Sequence, residues 1–448
     1  MRGAGFVWGV GWTALVLGLF GGAARAQGLP EGDSGIAARY PGDEGIVADP
    51  AVLFVEDFEA GDVAAVAARW EDVKSQASMS LTADVPAGSP GAASLLMHKR
   101  PGDGTSGAHL YRRILPGDGS DGHPRLFARF YVKFAPDCAP LHHFGTNLGG
   151  NRPSTPWPMV SAGSRPAGDE QFWTGIEPYG DTWRWDFYTY WMEMRSHENP
   201  DGSGDSCWGN SFIRAGADQS WAPLGPPVPR GEWICIEMMV EVNQPSDSHS
   251  GEQAFWVDGA LWRLDGQVVS HLGPGFPLGS WLRDKWSPDP GGAPFEGFRW
   301  RSAADLLVNY VWAYIYTEQD DHDIRVWFDH IVVASDYIGC LTAAPPVDGG
   351  LDGGLDGADG VADSGDGPDP DAGADAGTDA GPDAGADPGS ADAQQPSADR
   401  DDGAALEGGC GCAARQQDGR LPLLWLAWFL LRGRPLRRAG CGRWAGRR

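Results

Sequence analysis

Short segments in which apolar and polar side chains alternate recur through the middle of the chain, and they constrain its fold most. The clearest are residues 125–134, 183–195, 233–243, 306–316 and 324–334. Alternation with a period of two is typical of β-strands that bury one face. Val257-Asp258-Gly259 lies between two apolar stretches and predicts a tight hairpin turn. We therefore predict an all-β protein in which residues 51–341 form one antiparallel β-sandwich, large enough for a jelly roll.

Several of these segments carry aromatic and cationic side chains on the face that alternation directs away from the core. Such a face on a curved sheet suits a sugar-binding groove, because rings stack on the apolar faces of pyranoses and polar groups bind hydroxyls. The predicted substrate-binding residues are Arg129, Tyr131, Lys133, Tyr310, Trp312, Tyr314 and Tyr316. The alternative is that the aromatic residues form a second core beneath long loops, since large aromatics are commonly mostly buried.

Both ends of the chain carry signals for export. Arg2, an apolar run and Ala24-Arg25-Ala26 predict a signal peptide over residues 1–26, followed by a leader over 27–50. Residues 342–408 are rich in Asp, Gly, Ala and Pro and predict a disordered, extended spacer. The net charge of −27 argues against nucleic acid as a partner, because a phosphate backbone requires Lys and Arg.

Residues 409–448 contain a Cys-Gly-Cys motif (Cys410 and Cys412), a short apolar stretch at 421–431 and a cluster of arginines. This order of parts resembles the myxobacterial C-terminal sorting signal. The resemblance implies a processing peptidase as a partner, removal of the tail, and a lipid anchor that holds the protein on the outer membrane at the cell surface.

Four cysteines lie within the predicted sandwich: Cys138, Cys207, Cys235 and Cys340. An even number of cysteines in an exported protein predicts disulfides, here two. Three pairings are possible, and the spacing does not choose among them. A metal site is the weaker alternative, because no two of the four cysteines are spaced as Cys-x-x-Cys.

The sequence resembles concanavalin-type jelly rolls of the polysaccharide-lyase kind, in particular lyase family fourteen. The matching stretches are residues 129–134, 143–150, 185–190, 231–233, 241–243, 255–259 and 327–331. In that family a Tyr-x-Tyr strand supplies the base and the acid, and the resemblance assigns these roles to Tyr188 and Tyr190. His143, or alternatively His142, stands near the position of a family lysine that holds the uronate carboxylate.

The family's carboxylate-binding arginine has no counterpart at its expected place. β-Elimination needs a cation or strong donor on the carboxylate and a base near the proton. Arg184 is the candidate catalytic cation, because its even spacing from Tyr188 puts both on one strand face. The alternative role of Arg184 is a surface charge or a partner for Asp186. Arg129 and Lys133 are further candidate cations.

Two functions follow from these residues. The protein either binds a polysaccharide in the aromatic groove without chemistry, or it is a lyase that cleaves a uronate polymer. Hydrolysis ranks third, because Glu237 and Glu241 share a face but lie about 13 Å apart along a strand. No cofactor is required. Asp57 or Glu59 together with Asp329 could hold a structural Ca²⁺, unless they are ordinary turn and edge carboxylates.

Overall fold

The computed structural model describes residues 28–159, 162–194, 205–207, 209–213, 225–276 and 295–342. The predicted signal peptide, nearly all of the predicted spacer, and the sorting signal with Cys410 and Cys412 lie outside these residues. Within the described part of the chain, no helix is both long and apolar enough to cross a membrane.

The described residues form nineteen strands and few helical turns. The strands are β1 (Val52–Glu56), β2 (Asp72–Lys74), β3 (Met79–Thr82), β4 (Ser94–Lys99), β5 (Gly107–Arg113), β6 (Arg125–Phe134), β7 (His143–Asn151), β8 (Gly163–Ser164), β9 (Gln171–Pro178), β10 (Trp185–Tyr190), β11 (Asp205–Cys207), β12 (Trp233–Glu241), β13 (Glu252–Val257), β14 (Ala260–Leu261), β15 (Arg263–Leu264), β16 (Gln267–Val268), β17 (His271–Leu272), β18 (Tyr310–Tyr316) and β19 (Ile324–Ala334). The helical turns are α1 (Val63–Ala67) and the 3-10 turns Ile36–Arg39, Pro41–Asp43, Ile46–Ala48, Gln76–Ser78 and Gly180–Thr182.

Two large antiparallel sheets face each other, which confirms the predicted all-β sandwich. Among the described strands, the first sheet runs β14-β13-β12-β6-β19-β4-β3, with β1 and β17 paired to its members, and the second runs β10-β9-β7-β18-β5-β2. The predicted strands at 125–134 and 324–334 have the predicted bounds, whereas the segment at 183–195 is a strand only over Trp185–Tyr190. The two central strands of the first sheet, β6 and β19, pair along most of their length.

The core lies between the sheets and is filled by alternate residues of each strand. Strand β6 contributes the face predicted from its alternation: Leu126, Ala128, Phe130, Val132 and Phe134. Phe144, Leu148 and Ile176 face them from the second sheet. Burying an apolar side chain of this size stabilises the fold by about 1.5–3 kcal/mol, so the inward positions fix the register of each strand.

The predicted hairpin after β13 forms at Asp258 and Gly259. Both residues have positive φ angles, 49° and 75°. Two successive positive φ angles match the right-handed twist of the flanking strands, which is why Asp-Gly is favoured in two-residue hairpins. The Asp258 carboxylate also accepts a hydrogen bond from the Cys235 backbone N–H (3.0 Å), which ties the turn to the neighbouring strand.

Residues 28–50, predicted as a leader before the domain, pack against the outer face of the first sheet. The backbone N–H groups of Ile36 and Ala37 donate to the carbonyls of Tyr337 and Ile338 at 3.0 and 2.8 Å. Ile36, Ile46 and Trp256 are buried together in a second apolar cluster on this face. The folded unit therefore begins well before residue 51.

One of the two predicted disulfides is present. Cys235 on β12 is bonded to Cys340 beyond β19, which ties the covering segment to the first sheet. The predicted second disulfide is wrong. Cys138 keeps a buried thiol whose Sγ lies 3.5 Å from the carbonyl oxygen of Ala139, and burial raises its pKa to about 11. Cys207 is buried on β11, which pairs with β8 rather than with the turn that carries Cys138.

Candidate functional site

The outer face of the second sheet carries most of the predicted aromatic residues. Alternation along β18 puts Tyr310, Trp312, Tyr314 and Tyr316 on this face, and the same alternation in β10 adds Tyr188 and Tyr190. Register then aligns them with their neighbours on the adjacent strands. The pairs are Tyr316 with His143, Trp312 with Asn147, Tyr310 with Gly149, Tyr188 with Gly175, and Tyr190 with Trp173. The structure therefore brings together six of the predicted tyrosine and tryptophan residues with His143.

One end of this face is partly open to solvent, and rings surround His143 there. We call His142, His143, Tyr188 and Tyr316 the open end. The ring of His143 lies 4.5 Å from that of Tyr188, 5.9 Å from that of Tyr316 and 4.2 Å from that of His142, measured between centroids. All four side chains are only partly buried. Flat rings in such an arrangement form a platform on which the apolar face of a sugar can stack.

The hydroxyls of Tyr188 and Tyr190 lie 3.1 Å apart and share a hydrogen bond. Tyr190 is buried and stacks on Trp173, with 4.6 Å between ring centroids. Burial raises the pKa of Tyr188 well above its usual value, and Tyr190 and Glu177 add to the effect. A tyrosine acts as a base near neutral pH only when its pKa is lowered, so this surrounding keeps the Tyr188 phenol protonated.

Among the described residues, two carboxylates lie beside the rings of the open end. Oε2 of Glu177 lies 3.2 Å from Nδ1 of His143, and Oε2 of Glu318 lies 3.6 Å from Nδ1 of His142. Burial, together with the neighbouring His143, lowers the pKa of His142 to about 4. His142 is therefore neutral near pH 7, and its imidazole can both donate and accept a hydrogen bond.

The remainder of the aromatic face is closed. Tyr310, Trp312 and Tyr314 are 1%, 4% and 6% exposed, and the rings of Trp312 and Tyr314 stack at 4.4 Å. The neighbouring Tyr111 donates its hydroxyl to the carbonyl of Thr155 (3.0 Å), so the segment after β7 lies over this part. These three aromatic residues therefore form a second core beneath a loop, which was the alternative to a sugar-binding groove. They do not offer a surface to a sugar.

Glycines under this face make room for the large side chains. A Cβ atom at Gly175 would lie 1.8 Å from Oδ1 of Asn147, and one at Gly149 would lie 2.3 Å from the Tyr310 hydroxyl oxygen. Real Cβ atoms do not approach other atoms so closely, so any side chain at either position would displace its neighbour. The glycines therefore set the depth at which Asn147 and Tyr310 lie.

Three predicted substrate-binding residues lie elsewhere. Arg129, Tyr131 and Lys133 are on the outer face of β6 in the first sheet, on the opposite side of the sandwich. Arg129 is fully buried beside Asp43, and the Tyr131 hydroxyl accepts from the Leu341 N–H. Nζ of Lys133 lies 2.6 Å from Oδ2 of Asp84. Their assignment was wrong because alternation separates the two faces of one strand without telling which sheet the strand joins.

Arg184 is bonded to the backbone in this structure, and its role as the catalytic cation stays a prediction. It precedes β10, and its guanidinium donates to the carbonyl of Gly225 at 2.8 Å. The preceding residue, Trp183, has a positive φ of 48°, which breaks the strand geometry before Trp185. Arg184 itself forms an isolated antiparallel bridge with Pro227 directly before β10.

The predicted calcium ligands lie near one another but are engaged with the protein. Burial raises the pKa of Asp329 to about 8, and Glu59 and Asp57 contribute to this. Oε1 of Glu59 accepts from the backbone N–H groups of Ala92 and Ala93 at 2.7 and 2.8 Å. Within the described ranges, no three His, Cys, Asp or Glu side chains are placed to hold a metal ion. The calcium site stays a prediction that a calcium titration can check.

Two side chains beside this face were not predicted from the sequence. Glu177 lies on β9, opposite Asp186 of β10, and its carboxylate contacts His143. Its position follows only from the pairing of the strands. Trp157 is 55% exposed, and its carbonyl accepts from the Thr155 hydroxyl in the segment that covers Tyr111. A signal for it was present, since a tryptophan flanked by two prolines cannot continue a strand and marks a loop.

No protein-family model and no curated protein matches the chain. Among solved structures, the alginate lyase Aly36B is similar over 65% of this chain and 99% of its own, with 12% identity and a TM-score of 0.39. The PL-14 alginate lyase from Aplysia kurodai is similar over 63% of this chain and 99% of its own, with 13% identity and a TM-score of 0.41. The endo-β-1,4-glucuronan lyase from Trichoderma reesei is similar over 63% of this chain and 95% of its own, with 12% identity and a TM-score of 0.33. Similarities this weak do not establish an activity for this protein.

Proposed function

We propose that the protein binds a polysaccharide at the open end of the second sheet. The observation that carries this proposal is the set of partly exposed rings around His143, with Tyr188 and Tyr316 on either side of it. Stacking on such rings, together with hydrogen bonds from phenol and imidazole groups, is how proteins recognise sugars without a charged ligand.

The polar groups of the open end favour units rich in hydroxyls over uronates. The contacts of His143 are made by rings and by the Glu177 carboxylate, and the neutral His142 faces Glu318. A carboxylate accepts hydrogen bonds from sugar hydroxyls but repels the carboxylate of a uronate. We therefore expect neutral polysaccharides to bind more tightly than alginate or glucuronan.

Lyase activity is the second candidate, and the Tyr188–Tyr190 hydroxyl pair beside His143 favours it. One phenol would take the proton next to the uronate carboxylate and the other would protonate the leaving oxygen. The raised pKa of Tyr188 works against this step, because removal of a proton by a neutral phenol is slow near pH 7. Binding is therefore the better supported function.

The experiment is a binding panel of neutral and uronate polysaccharides, read by pull-down and by ultraviolet absorbance of new unsaturated ends. We expect retention on a neutral polymer and no absorbance change. The Tyr188→Ala variant should lose about 1–3 kcal/mol of affinity, the range for removing the contacts of an aromatic side chain. Tyr337→Phe, on the opposite side of the sandwich, should bind like the wild type and serves as the control.

Two results would overturn this proposal. Growth of absorbance on a uronate polymer that Tyr190→Phe abolishes would make the protein a lyase. Equal affinities of the Tyr188→Ala variant, the control and the wild type would place the binding site elsewhere.

We also propose that the protein is exported, processed at both ends and held at the cell surface. The terminal motifs of the sequence support this: the signal at 1–26 and the Cys410-Gly411-Cys412 tail. The mature chain should begin near Gln27 and end near Cys410 or Cys412. Mass spectrometry of the protein from its own cells checks both ends, and detection of Arg448 in the mature chain would contradict the proposal.

A further inference from the structure

A serine, a histidine and an aspartate are hydrogen-bonded in a row on the outer face of the first sheet, away from the open end. Nε2 of His330 lies 2.8 Å from Oγ of Ser89, and Nδ1 of the same ring lies 2.9 Å from Oδ2 of Asp43. The three residues come from the loop before β4, from β19 and from the segment before β1. Both distances lie in the range expected between a nucleophile, its base and the group that orients the base.

The surroundings of Asp43 set the direction of these hydrogen bonds. Burial would raise the pKa of Asp43, but Arg129 and His330 outweigh it, so the pKa is lowered and the carboxylate is ionised. An ionised carboxylate only accepts hydrogen bonds, so the ring proton of His330 is on Nδ1. In the neutral ring, Nε2 carries the lone pair and can accept the hydroxyl proton of Ser89. This tautomer is assigned from the network of donors and acceptors.

The backbone is bent to bring these residues together. His330 and Asp43 both have positive φ angles, 47° and 62°, which is uncommon for residues other than glycine. The pairing of β19 with β6 shifts register between Asp329 and Val332, and such a bulge redirects a side chain out of the strand alternation. Residues held in sparsely populated conformations cluster at functional sites.

A hydrogen-bond donor already points at the reacting oxygen. The backbone N–H of Gly91 donates to Oγ of Ser89 at 3.0 Å. This bond holds Oγ in place beside Nε2 of His330. A pocket of about 270 Å³ begins at Ala92 and Ala93, directly after Gly91, and Leu81 and Thr82 also line it. Ser89 itself is partly buried.

We propose that Ser89, His330 and Asp43 form a catalytic triad that hydrolyses short-chain carboxylic esters. Oγ of Ser89 attacks the ester carbonyl carbon while its proton passes to Nε2 of His330. The bond from that carbon to the alcohol oxygen breaks, and the alcohol leaves with the proton from Nε2. Water then gives a proton to Nε2 and attacks the acyl group, and the carboxylic acid departs as Ser89 recovers its proton. Asp43 stabilises the imidazolium in both halves of the reaction.

The restriction to short acyl groups follows from the room around Ser89. The loop that carries Ser89 is closely packed, because a Cβ atom at Gly42 would lie only 3.0 Å from Cδ of Pro90. A short acyl group disturbs this loop less than a long acyl chain would.

The test uses the full chain with diisopropyl fluorophosphate, which labels activated serines, and with p-nitrophenyl acetate as the ester. We expect mass spectrometry to find the label on Ser89 of the folded protein. Ser89→Ala should remove the label and lower ester turnover by up to about 10⁶-fold, because the nucleophile itself is lost. Ser34→Ala, at an exposed serine bonded to the nearby Glu31 carbonyl, should change neither.

The labelling result on the wild-type protein decides the proposal even if the variants fail to fold. A folded wild-type protein whose Ser89 stays unlabelled overturns it, as does ester turnover that is unchanged in a folded Ser89→Ala variant. Label on Ser89 that is lost in a folded Asp43→Asn variant supports the assigned role of the aspartate.

Discussion

The outer faces of the two sheets differ in what lies over them. On the first sheet, residues 28–50 and the chain after β19 cover the strands, and a set of charged side chains is buried beneath them. On the second sheet the face is aromatic, and part of it, around His143, is left open. Both faces show the same alternation in sequence. What distinguishes them is the segment that each one meets in the folded chain.

Coverage changes the energetic role of a charged residue. Arg129 is 0% exposed and pairs with Asp43, which itself binds His330. Glu237 is buried on the neighbouring strand and accepts from the N–H groups of Ile338 and Gly339 at 2.8 Å each. Charges that are out of water must be paired, so these residues hold the covering segments in one position. The side chains of the open end are only partly buried, so a ligand can replace the water on their exposed surface.

The largest effect is expected from breaking the buried pair on the covered face. Arg129→Met leaves the Asp43 carboxylate buried without its guanidinium, so we expect a loss of about 3–5 kcal/mol in the free energy of unfolding. Arg125→Met, on the same face of the same strand, removes a partly exposed arginine that lies 3.6 Å from Glu241 and should cost about 0–1 kcal/mol. Urea denaturation of both variants measures the difference, and equal losses would contradict the comparison.

The disulfide on the same face should contribute nearly as much to the free energy of unfolding. Cys235 and Cys340 are 105 residues apart, and opening a loop of that length is expected to cost about 2–5 kcal/mol. Adding a reductant should therefore lower the free energy of unfolding of the wild type. The double variant Cys235→Ala/Cys340→Ala should be less stable already and insensitive to the reductant. A wild type that the reductant does not affect would show that the disulfide does not hold the covering segment.

The free energy of unfolding should also depend on pH through a residue of the covered face. Burial raises the pKa of Glu237 to about 7 from its usual 4.5, despite the two backbone donors. Between these values the folded state binds more protons than the unfolded one, so stability falls as the pH rises, by up to about 1.4 kcal/mol per pH unit. Glu237→Gln should reduce that slope by the share of this one group, with the buried Asp329 still contributing its own, and Glu241→Gln on the same strand should retain it in full. Denaturation at pH 5, 6, 7 and 8 compares them.

The smallest effect on stability is expected at Trp157, on the segment that covers the closed part of the aromatic face. Trp157→Ala removes a ring that is 55% exposed, so the free energy of unfolding should change by less than about 0.5 kcal/mol. Trp256→Ala, in the apolar cluster of the covered face, should instead cost about 3–5 kcal/mol. Thermal denaturation distinguishes the two, and a large loss at Trp157 would mean that this ring is part of the core.

Alternation and turn chemistry were enough to predict the local features of the fold. They include the strands at 125–134 and 324–334, the inward face of β6, and the hairpin at Asp258 and Gly259. These features follow from backbone geometry, which acts over a few neighbouring residues. The same patterns brought Tyr188, Tyr190 and Tyr316 to one candidate site, since all three lie on regular strands.

Which sheet each strand joins, and what covers that sheet, became apparent in the folded chain alone. Arg129 was therefore predicted in the groove but lies under residues 28–50, and Cys138 was predicted in a disulfide but keeps its thiol. In the row of Ser89, His330 and Asp43, the last two members are 287 positions apart, and no sequence pattern connects them. Contacts over such separations depend on the packing of the whole chain, because no local interaction between neighbouring residues specifies them.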